Sequence, residues 1–587
     1  MNCVMIVIDS LNYTRVEESK EDLLPFLHTK GQNGIVATNM YSMAPYTEAA
    51  AMALYGGQKT LSNHGYLKRY AEIPKLLFES FLENGFDVFF NALQPQCFPS
   101  SLRRGCNYIY YNRGYDLSVL WSYRFSHYAK LQKERLIEAD DYLVLCEIMH
   151  DNFSEWLRFL NDVKNNDSSV ELIIDLNPNY DFEKALDAVN EEFNKFKENE
   201  ISYIQRFLSL GKTHELYGIP YFKQIQHHIE KNNRISIDSR CKKIFNRIQR
   251  LNLKSNLLHN PDVFLGTVKA FKELLISRNK QDFLNSMYLI KNTVLPVHFK
   301  DRYGEIGPKL KGVPSFNTMS KHFLKWIDKR TNDKPFFACL HVDDIHFPEV
   351  FFSYDSNDLR IVNEDLNVAE SYLKRNSFRG PGGLLHDLSL LYADHQCEWL
   401  YNELMKRNLL DDTIFVVTAD HGFSYSGYPI RKKPINTFYL ENFKIPFYVF
   451  GPGIKHKTIT SMKSSASIPS TICEIMGVPV DKSYMPSITN DNEDMCFVEY
   501  CGGGCPDLKR REIMLAAFDK CKMVAFKSCL NDDFLLKNIS EVYDLKEDPK
   551  QRKNKVNDFS LSEYAFLIDS IEKRFNELKK ENGSGAN

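Results

Sequence analysis

The sequence predicts an α/β protein whose central sheet is mostly parallel, with a large helical insertion and a small α+β subdomain near the C-terminus. Two observations predict this fold class. Strand-like apolar runs alternate with helical patterns in both outer parts of the chain, which is typical of parallel α/β sheets. Two of these runs end abruptly in acidic or imidazole side chains, and α/β enzymes build their sites at the carboxyl ends of such strands.

The strand-like runs are largely apolar, as expected for strands that are buried on both faces of a sheet. They cover residues 3–8, 87–92, 336–341, 413–419 and 445–450. The first run ends in Asp9, and the fourth is followed by Asp420 and His421. Because the carboxyl ends of parallel strands meet at one edge of a sheet, we expect these two strand ends to share one metal ion.

The character of the sequence changes between the second and third runs. Apolar side chains recur there at spacings of four and three, at Phe182, Leu186, Val189, Phe193 and Phe196. This pattern predicts a mainly helical insertion over residues 105–330, which divides the catalytic domain into residues 1–104 and 331–488. We expect the insertion to cap or line the site or to form a homo-oligomer contact, and its aromatic residues favour a core over a ligand platform.

A smaller unit follows the last strong strand. Its patterns FVEY, IMLAAFDKCKMVAF and EVYDLKEDP are typical of short antiparallel strands joined by turns, and an amphipathic helix follows at residues 561–580. We therefore expect a C-terminal subdomain over residues 489–582, with residues 583–587 as a tail.

Composition and charge exclude some classes of protein. The chain is 43% hydrophobic and 26% charged, and its formal net charge of -2 gives no reason to expect nucleic acid as a partner. No segment approaches the roughly 20 apolar residues that span a bilayer, so we expect no integral membrane segment. The first strand begins almost at Met1, which leaves no room for a signal peptide, and we expect a cytoplasmic location.

The cysteines favour a reducing compartment. They number 13 and are scattered, and several lie within apolar runs, where cysteine behaves as a small buried hydrophobe. Only the CGGGC segment at residues 501–505 has a close spacing. It lacks a second Cys or His pair at zinc-site spacing, which favours a glycine-rich turn over a metal knuckle.

Four segments resemble, in order, those of the alkaline phosphatase superfamily, and most closely its sulfatase-like branch with the phosphoglycerol and phosphoethanolamine transferases: VIDSLNYTR, SMAPYTEAAAMALYGG, LHVDDIHFP and VVTADHGFSYSG. Near the end, EVYDLKEDPKQRKN resembles the family's LYDL-x-x-DP signature. The resemblance covers both ends of the chain and skips the helical insertion. It implies an alkaline phosphatase-like core and a divalent metal ion.

Thr47 is the candidate nucleophile. It precedes an alanine-rich segment that favours a helix, whose free N–H groups would stabilise an oxyanion, and a metal ion would lower the pKa of its hydroxyl. A plain helix cap is the alternative interpretation of Thr47. The resemblance implies the nucleophile, and it implies a metal set of Asp9, Thr47, Asp420 and His421.

Carboxylate, imidazole and alkoxide ligands suit Mn, Zn or Mg. Calcium is less expected, because Ser10 stands where calcium-type sulfatases usually carry a second Asp. Asp343 or Asp344 together with His346 could support a second metal ion, or these two carboxylates could cap a turn or orient His346.

The resemblance also implies the groups that contact substrate. His346 corresponds to the His that contacts the transferred group or protonates the leaving oxygen, and His341 is a weaker substrate-binding candidate. Ile435 stands where sulfatases usually carry a substrate-binding Lys. We therefore expect Lys432 or Lys433 to reach the substrate instead, with Asn436 binding one of its oxygens.

The residues around Thr47 indicate whether the reaction is that of a formylglycine sulfatase or that of a phospho-group enzyme. Formylglycine sulfatases require Cys or Ser followed by x-Pro-x-Arg, whereas Thr47 is followed by Glu48 and three alanines. We therefore expect a phospho-group hydrolase or transferase acting on a phosphodiester, a phosphonate or a phosphorylated glycan precursor, through a phospho-threonine intermediate. Two alternatives stay open: a sulfohydrolase that uses threonine directly, and a catalytically silent binding or scaffold protein.

Overall fold

A computed structural model of the chain describes residues 1–11, 13–63, 65, 74–92, 104–111, 182–209, 316–342, 344–345, 383–423, 438–489, 495–501 and 512–583, with scattered positions between 132 and 161, between 247 and 275, and at 367. Within these ranges, no helix is both long enough and apolar enough to cross a bilayer.

The central sheet has nine strands in the described parts of the chain: β1 (Asn2–Ile8), β2 (Ile35–Tyr41), β3 (Asp87–Ala92), β4 (Tyr108–Tyr111), β5 (Phe336–Val342), β6 (Thr413–Thr418), β7 (Lys444–Phe450), β8 (Lys457–Ile459) and β9 (Lys463–Ser464). Their order is β4-β3-β5-β1-β6-β7-β2-β8, and β9 pairs with β2. Strand β7 is antiparallel to both of its neighbours, and all other pairings are parallel. The predicted mostly parallel α/β sheet is confirmed.

Ten helices accompany the two sheets in the described ranges: α1 (Tyr13–Leu23), α2 (Pro25–Gly31), α3 (Thr47–Gly56), α4 (Leu77–Glu83), α5 (Phe182–Glu198), α6 (Glu200–Ser209), α7 (Phe316–Lys329), α8 (Gly383–Lys406), α9 (Ile468–Met476) and α10 (Leu561–Gly583). Every residue of β1, β5 and β6 is buried. The continuous apolar runs in the sequence arise because these strands are covered on both faces.

The sheet register sets the position of the strand ends. Strand β1 lies between β5 and β6, and Val7 is aligned with His341 on one side and with Thr418 on the other. The N–H of Asp9 also donates to the carbonyl of Val342 at 2.9 Å. The residues that follow β1 and β6 are therefore level with the end of β5, at one edge of the sheet.

The central sheet extends beyond the predicted boundary at residue 104. Strand β4 lies within the range assigned to the insertion, but it pairs with β3 in the catalytic sheet. Its four-residue run, YIYY, is too short to give a strong periodic signal. Helix α7, at the other end of the same range, packs against the catalytic sheet, with Phe323 5.8 Å from Phe336 between ring centroids.

Helices α5 and α6 lie inside the predicted insertion. Their aromatic side chains pack against one another, with the ring of Phe193 stacked 5.0 Å from Phe153 and the ring of Tyr203 5.5 Å from Phe196. All four of these side chains are buried. In this part of the insertion the aromatic residues form a core.

The C-terminal subdomain is a four-stranded antiparallel sheet in sequence order, consisting of β10 (Cys496–Cys501), β11 (Glu512–Phe518), β12 (Lys522–Cys529) and β13 (Ile539–Asp544). Helix α10 packs on this sheet, where Phe575 contacts Phe526 at 5.4 Å between ring centroids. The subdomain also meets the central sheet, since the ring of Phe518 lies 4.9 Å from that of Tyr41. The predicted α+β subdomain is confirmed.

Candidate active site

Asp9 follows β1 and is nearly inaccessible, with 2% of its surface exposed. The next residue, Ser10, has a φ of 61°, a left-handed conformation that turns the chain sharply after the strand. Its hydroxyl donates to Asp9 Oδ1 at 2.6 Å, and its N–H donates to Asp420 Oδ1 at 3.1 Å. Ser10 therefore ties the two carboxylates together.

Thr47 is the first residue of α3. Tyr46 occupies the N-cap position in an extended conformation, without a side-chain cap. The Thr47 hydroxyl donates to Asp9 Oδ2 at 3.1 Å and lies 3.5 Å from Nε2 of His421. The hydroxyl thus points into the acidic cluster, and the N-cap position belongs to Tyr46.

Asp420 and His421 follow β6, and both are buried. The carbonyl of Gly422 lies 2.7 Å from His421 Nδ1, and because a carbonyl can only accept, Nδ1 carries the proton. Nε2 then faces the cluster, 3.7 Å from Asp9 Oδ1 and 3.5 Å from Asp420 Oδ2. Gly422 permits this close packing, since a Cβ there would lie 2.2 Å from the carbonyl oxygen of Glu441.

The sequence does not indicate that the side chain of His341 lies beside Asp9 and Asp420. The resemblance predicts a substrate contact for it, but its side chain is 1% exposed, and Nε2 lies 3.8 Å from Asp9 Oδ2 and 3.7 Å from Asp420 Oδ2. Its Nδ1 lies 2.9 Å from the hydroxyl of Tyr55. One ligand atom each from His341, Asp9 and Asp420 lies within 4.8 Å of the other two. The only sequence signal for this placement is the position of His341 near the end of an apolar strand.

The donor set fits a divalent cation. Two buried carboxylates in close contact carry a large electrostatic cost in a low-dielectric interior, and a bound dication offsets that cost. Asp420 Oδ2 is fully buried and accepts no hydrogen bond from any residue in the described ranges. Carboxylate oxygens and imidazole nitrogens together suit Zn or Mn better than Ca.

The remaining predicted site residues divide into two groups. Asp344 is described: both of its carboxylate oxygens accept the N–H of Phe316, at 2.9 and 3.2 Å, so it caps the start of α7. Capping is one of the roles that the sequence leaves open for it. The others lie outside the described residues: His346, Lys432, Lys433, Asn436 and Asp343.

Comparison with known proteins places this geometry in context. Residues 278–478 match a family model described as Sulfatase, a span that contains His341, Asp420 and His421. The chain is also similar to a Sulf-1 extracellular sulfatase homolog of Caenorhabditis elegans, with 32% identity over 92 residues, which is 16% of this chain and 13% of that protein. A SULF-1 extracellular sulfatase homolog of Drosophila melanogaster is 28% identical over 110 residues, 18% of this chain and 10% of its own length.

The similarity to these two relatives thus spans only a small part of their length. Among solved structures, the phosphonate monoester hydrolase of Agrobacterium radiobacter superimposes with a TM-score of 0.50 at 11% identity. That alignment covers 99% of this chain and 96% of the hydrolase. At this identity the likeness concerns the fold.

Proposed function

Because the chain belongs to the alkaline phosphatase/sulfatase superfamily, we propose that it is a metal-dependent enzyme that cleaves a phosphoester or phosphonate through Thr47. The observation that carries the proposal is the hydrogen bond from the Thr47 hydroxyl to Asp9 Oδ2 at 3.1 Å. It brings a nucleophile, a proton acceptor and the N-terminus of α3 together at one buried edge of the sheet. Phosphonates are included among the candidate substrates because a phosphonate monoester hydrolase shares this fold.

The first step forms a covalent intermediate. Thr47 Oγ bonds to phosphorus, the bond from phosphorus to the leaving oxygen breaks, and the hydroxyl proton passes to Asp9 Oδ2, which already accepts it in a hydrogen bond. Helix α3 begins at Thr47, and a helix N-terminus favours bound anions such as the phosphoryl oxygens. A divalent ion held by Asp9, Asp420, His421 and Thr47 would supply Lewis-acid stabilisation of the developing negative charge.

The second step decides between a hydrolase and a transferase. Attack on the phospho-threonine by water gives hydrolysis, whereas attack by a sugar hydroxyl gives transfer to a glycan. We assign proton transfer at the leaving oxygen to His346, and substrate contacts to Lys432 or Lys433 and Asn436, on the family resemblance. A small-molecule or glycan phosphoester is the substrate class that these cationic and amide groups suit.

A sulfate ester is the second candidate substrate. The match of residues 278–478 to the sulfatase family model and the two sulfatase relatives favour it. Thr47 cannot become formylglycine, so this reaction would require direct attack of the hydroxyl on sulfur. The two candidates differ in the atom attacked and share the same nucleophile.

The test is a panel of nitrophenyl substrates, namely phosphate monoesters, phosphate diesters, phosphonates and sulfates, each assayed with Mn, Zn and Mg. We expect turnover of a phosphorus ester and a phospho-threonine at position 47 in acid-quenched protein by mass spectrometry. Thr47→Ala should lower kcat by a factor on the order of 10⁴ or more, because it removes the attacking oxygen. Thr47→Ser is the matched control and should keep most of the activity.

Unchanged turnover in Thr47→Ala would exclude the covalent mechanism. Turnover restricted to sulfates, with sulfation of Thr47, would establish the second candidate. If the protein binds metal but cleaves nothing in the panel, the catalytically silent alternative gains support.

We also propose a cytoplasmic location. Most of the described cysteines are buried, where cysteine behaves as a small hydrophobe, and this supports a reducing compartment. Because the two relatives are named as extracellular proteins, cell fractionation is the direct test. Self-association through the helical insertion stays a prediction, which light scattering of the purified chain would check.

A further inference from the structure

The burial of His341 is inconsistent with a substrate contact. Its side chain is 1% exposed, whereas Thr47, the residue that must reach the substrate, is partly exposed. The imidazole therefore lies on the protein side of the cluster, behind the two carboxylates. A group in this position can act on a bound ion but not on a substrate.

The spacing of His341 matches a shared cation. Its Nε2 lies 3.8 Å from Asp9 Oδ2 and 3.7 Å from Asp420 Oδ2, nearly the spacing that His421 Nε2 has to the same carboxylates. Ligand atoms at about 2.1 Å from a tetrahedral zinc ion are roughly 3.4 Å apart. The ligand atoms of His341, Asp9 and Asp420 are therefore close enough to share one ion, and His421 Nε2 lies at similar distances from the same two carboxylates.

The backbone and a neighbouring side chain hold the ring in this orientation. His341 belongs to β5, which is paired on both sides, with Val7 of β1 directly beside it. The Tyr55 hydroxyl lies 2.9 Å from His341 Nδ1, and Tyr55 is fully buried among Phe78 and Phe90. If Nδ1–H donates to this hydroxyl, the lone pair of Nε2 is directed at the carboxylates.

We propose that His341 is a metal ligand through Nε2 and that Tyr55 is the positioning residue that fixes its ring. This inference rests on the proposed function and adds a fifth protein ligand to Asp9, Thr47, Asp420 and His421. Imidazole nitrogens in the donor set favour Zn over the hard cations Ca and Mg. Tyr55 and Thr47 belong to the same helix, α3, so one element carries both the nucleophile and the support of the metal site.

The test measures metal binding. Wild-type protein and the variants His341→Asn, Tyr55→Phe and Asp420→Asn are stripped with chelator, and Zn and Mn affinities are then determined by competition with a chromogenic chelator. We expect Tyr55→Phe to weaken binding by about 10- to 100-fold, as is typical of outer-shell changes, and His341→Asn to weaken it further. His28→Gln, a change at an imidazole outside the cluster, is the matched control and should bind as wild type does.

A spectroscopic measurement on the wild-type protein does not depend on the folding of any variant. Electron spin-echo envelope modulation of the Mn-loaded wild-type protein should show two coupled imidazole nitrogens. In His341→Asn one of the two should disappear. Metal-induced stabilisation in thermal unfolding should likewise be large in the wild type and small in His341→Asn, while the metal-free proteins unfold at similar temperatures.

The two ways in which the inference could fail are distinguishable. If Asp420→Asn loses the metal but His341→Asn retains wild-type affinity and the wild type shows a single nitrogen, His341 is not a ligand and the proposed function stands. If the wild-type protein binds neither ion, both this inference and the proposed metal dependence are wrong.

Discussion

Ser10 shows how a single residue shapes the site. In the sequence, its position indicates only that a second carboxylate is missing. In the structure, Ser10 bonds to one oxygen of Asp9 and one of Asp420, and these bonds hold the two carboxylates side by side. The left-handed turn at this residue, with φ at 61°, directs its N–H toward Asp420.

We predict that Ser10→Ala lowers metal affinity about tenfold, because Asp9 loses the hydroxyl that orients Oδ1. Chelator competition measures the change. Ser10→Gly is the companion variant: it also lacks the hydroxyl but adopts positive φ without strain, so it separates the lost hydrogen bond from any effect of the backbone. Wild-type affinity in both variants would contradict the assigned role.

At the scale of elements, the N-terminus of α2 is capped by a carboxylate from another helix. Asp394 of α8 accepts the N–H groups of Phe26 and Leu27 at 2.8 and 3.0 Å. These are donors that the first turn of a helix leaves without partners. Burial nevertheless raises the pKa of Asp394 to about 7 from its ordinary value of 3.8, although the two N–H groups lower it.

This raised pKa makes a prediction about stability. Between about pH 4 and 7 the folded protein keeps a proton on Asp394 that the unfolded chain releases, so this group's contribution to the free energy of unfolding falls as the pH rises through that window. The side chain introduced by Asp394→Asn cannot titrate, so the free energy of unfolding of this variant should lack that pH-dependent contribution. Thermal unfolding of both proteins from pH 4 to 8 checks it; parallel pH profiles would show that Asp394 is not the source.

At the scale of the whole molecule, the C-terminal subdomain is bound to the segment that carries the nucleophile. The hydroxyl of Tyr46, the residue before Thr47, donates to the carbonyl of Cys501 at the end of β10. Glu499 of the same strand accepts the N–H of Leu61 at 2.7 Å and pairs with Arg574 of α10 at 2.7 and 2.9 Å. The subdomain thus contacts the chain on both sides of α3, at Tyr46 before it and at Leu61 after it.

We predict that Arg574→Met lowers the free energy of unfolding by about 3–5 kcal/mol, because it leaves the carboxylate of Glu499 buried without its cation. Urea denaturation measures the loss. The double variant Glu499→Leu with Arg574→Leu should recover most of the stability, since it removes both buried charges. A single variant no less stable than the double one would refute this account of the pair.

The same pair has a pH dependence of the opposite sign to Asp394. Burial by itself would raise the pKa of Glu499, but the Arg574 guanidinium and the Leu61 N–H hold it below its ordinary value of 4.5. Its contribution to stability is therefore complete above that value and is lost in acid, as the pH falls through the lowered pKa.

Much of this molecule could be predicted from the sequence because the decisive signals are local. Apolar runs that end in Asp9 and in Asp420 identify two strand ends, and parallel packing brings such ends together. The place of His341 could not be predicted, since it depends on which strands are neighbours and on their register. The antiparallel direction of β7 and the pairing of β4 with the central sheet could not be predicted either, because the periodicity of the sequence indicates neither of them.

The central position of β1 affects how the chain is made. Its partners β5 and β6 are encoded hundreds of residues later, with Asn2 paired to Thr413. At about 5–20 residues per second, the ribosome needs on the order of tens of seconds to reach the second partner. Until β5 is made, this largely apolar strand has no neighbour in the sheet, so we expect chaperones to hold the nascent chain until translation has passed residue 418.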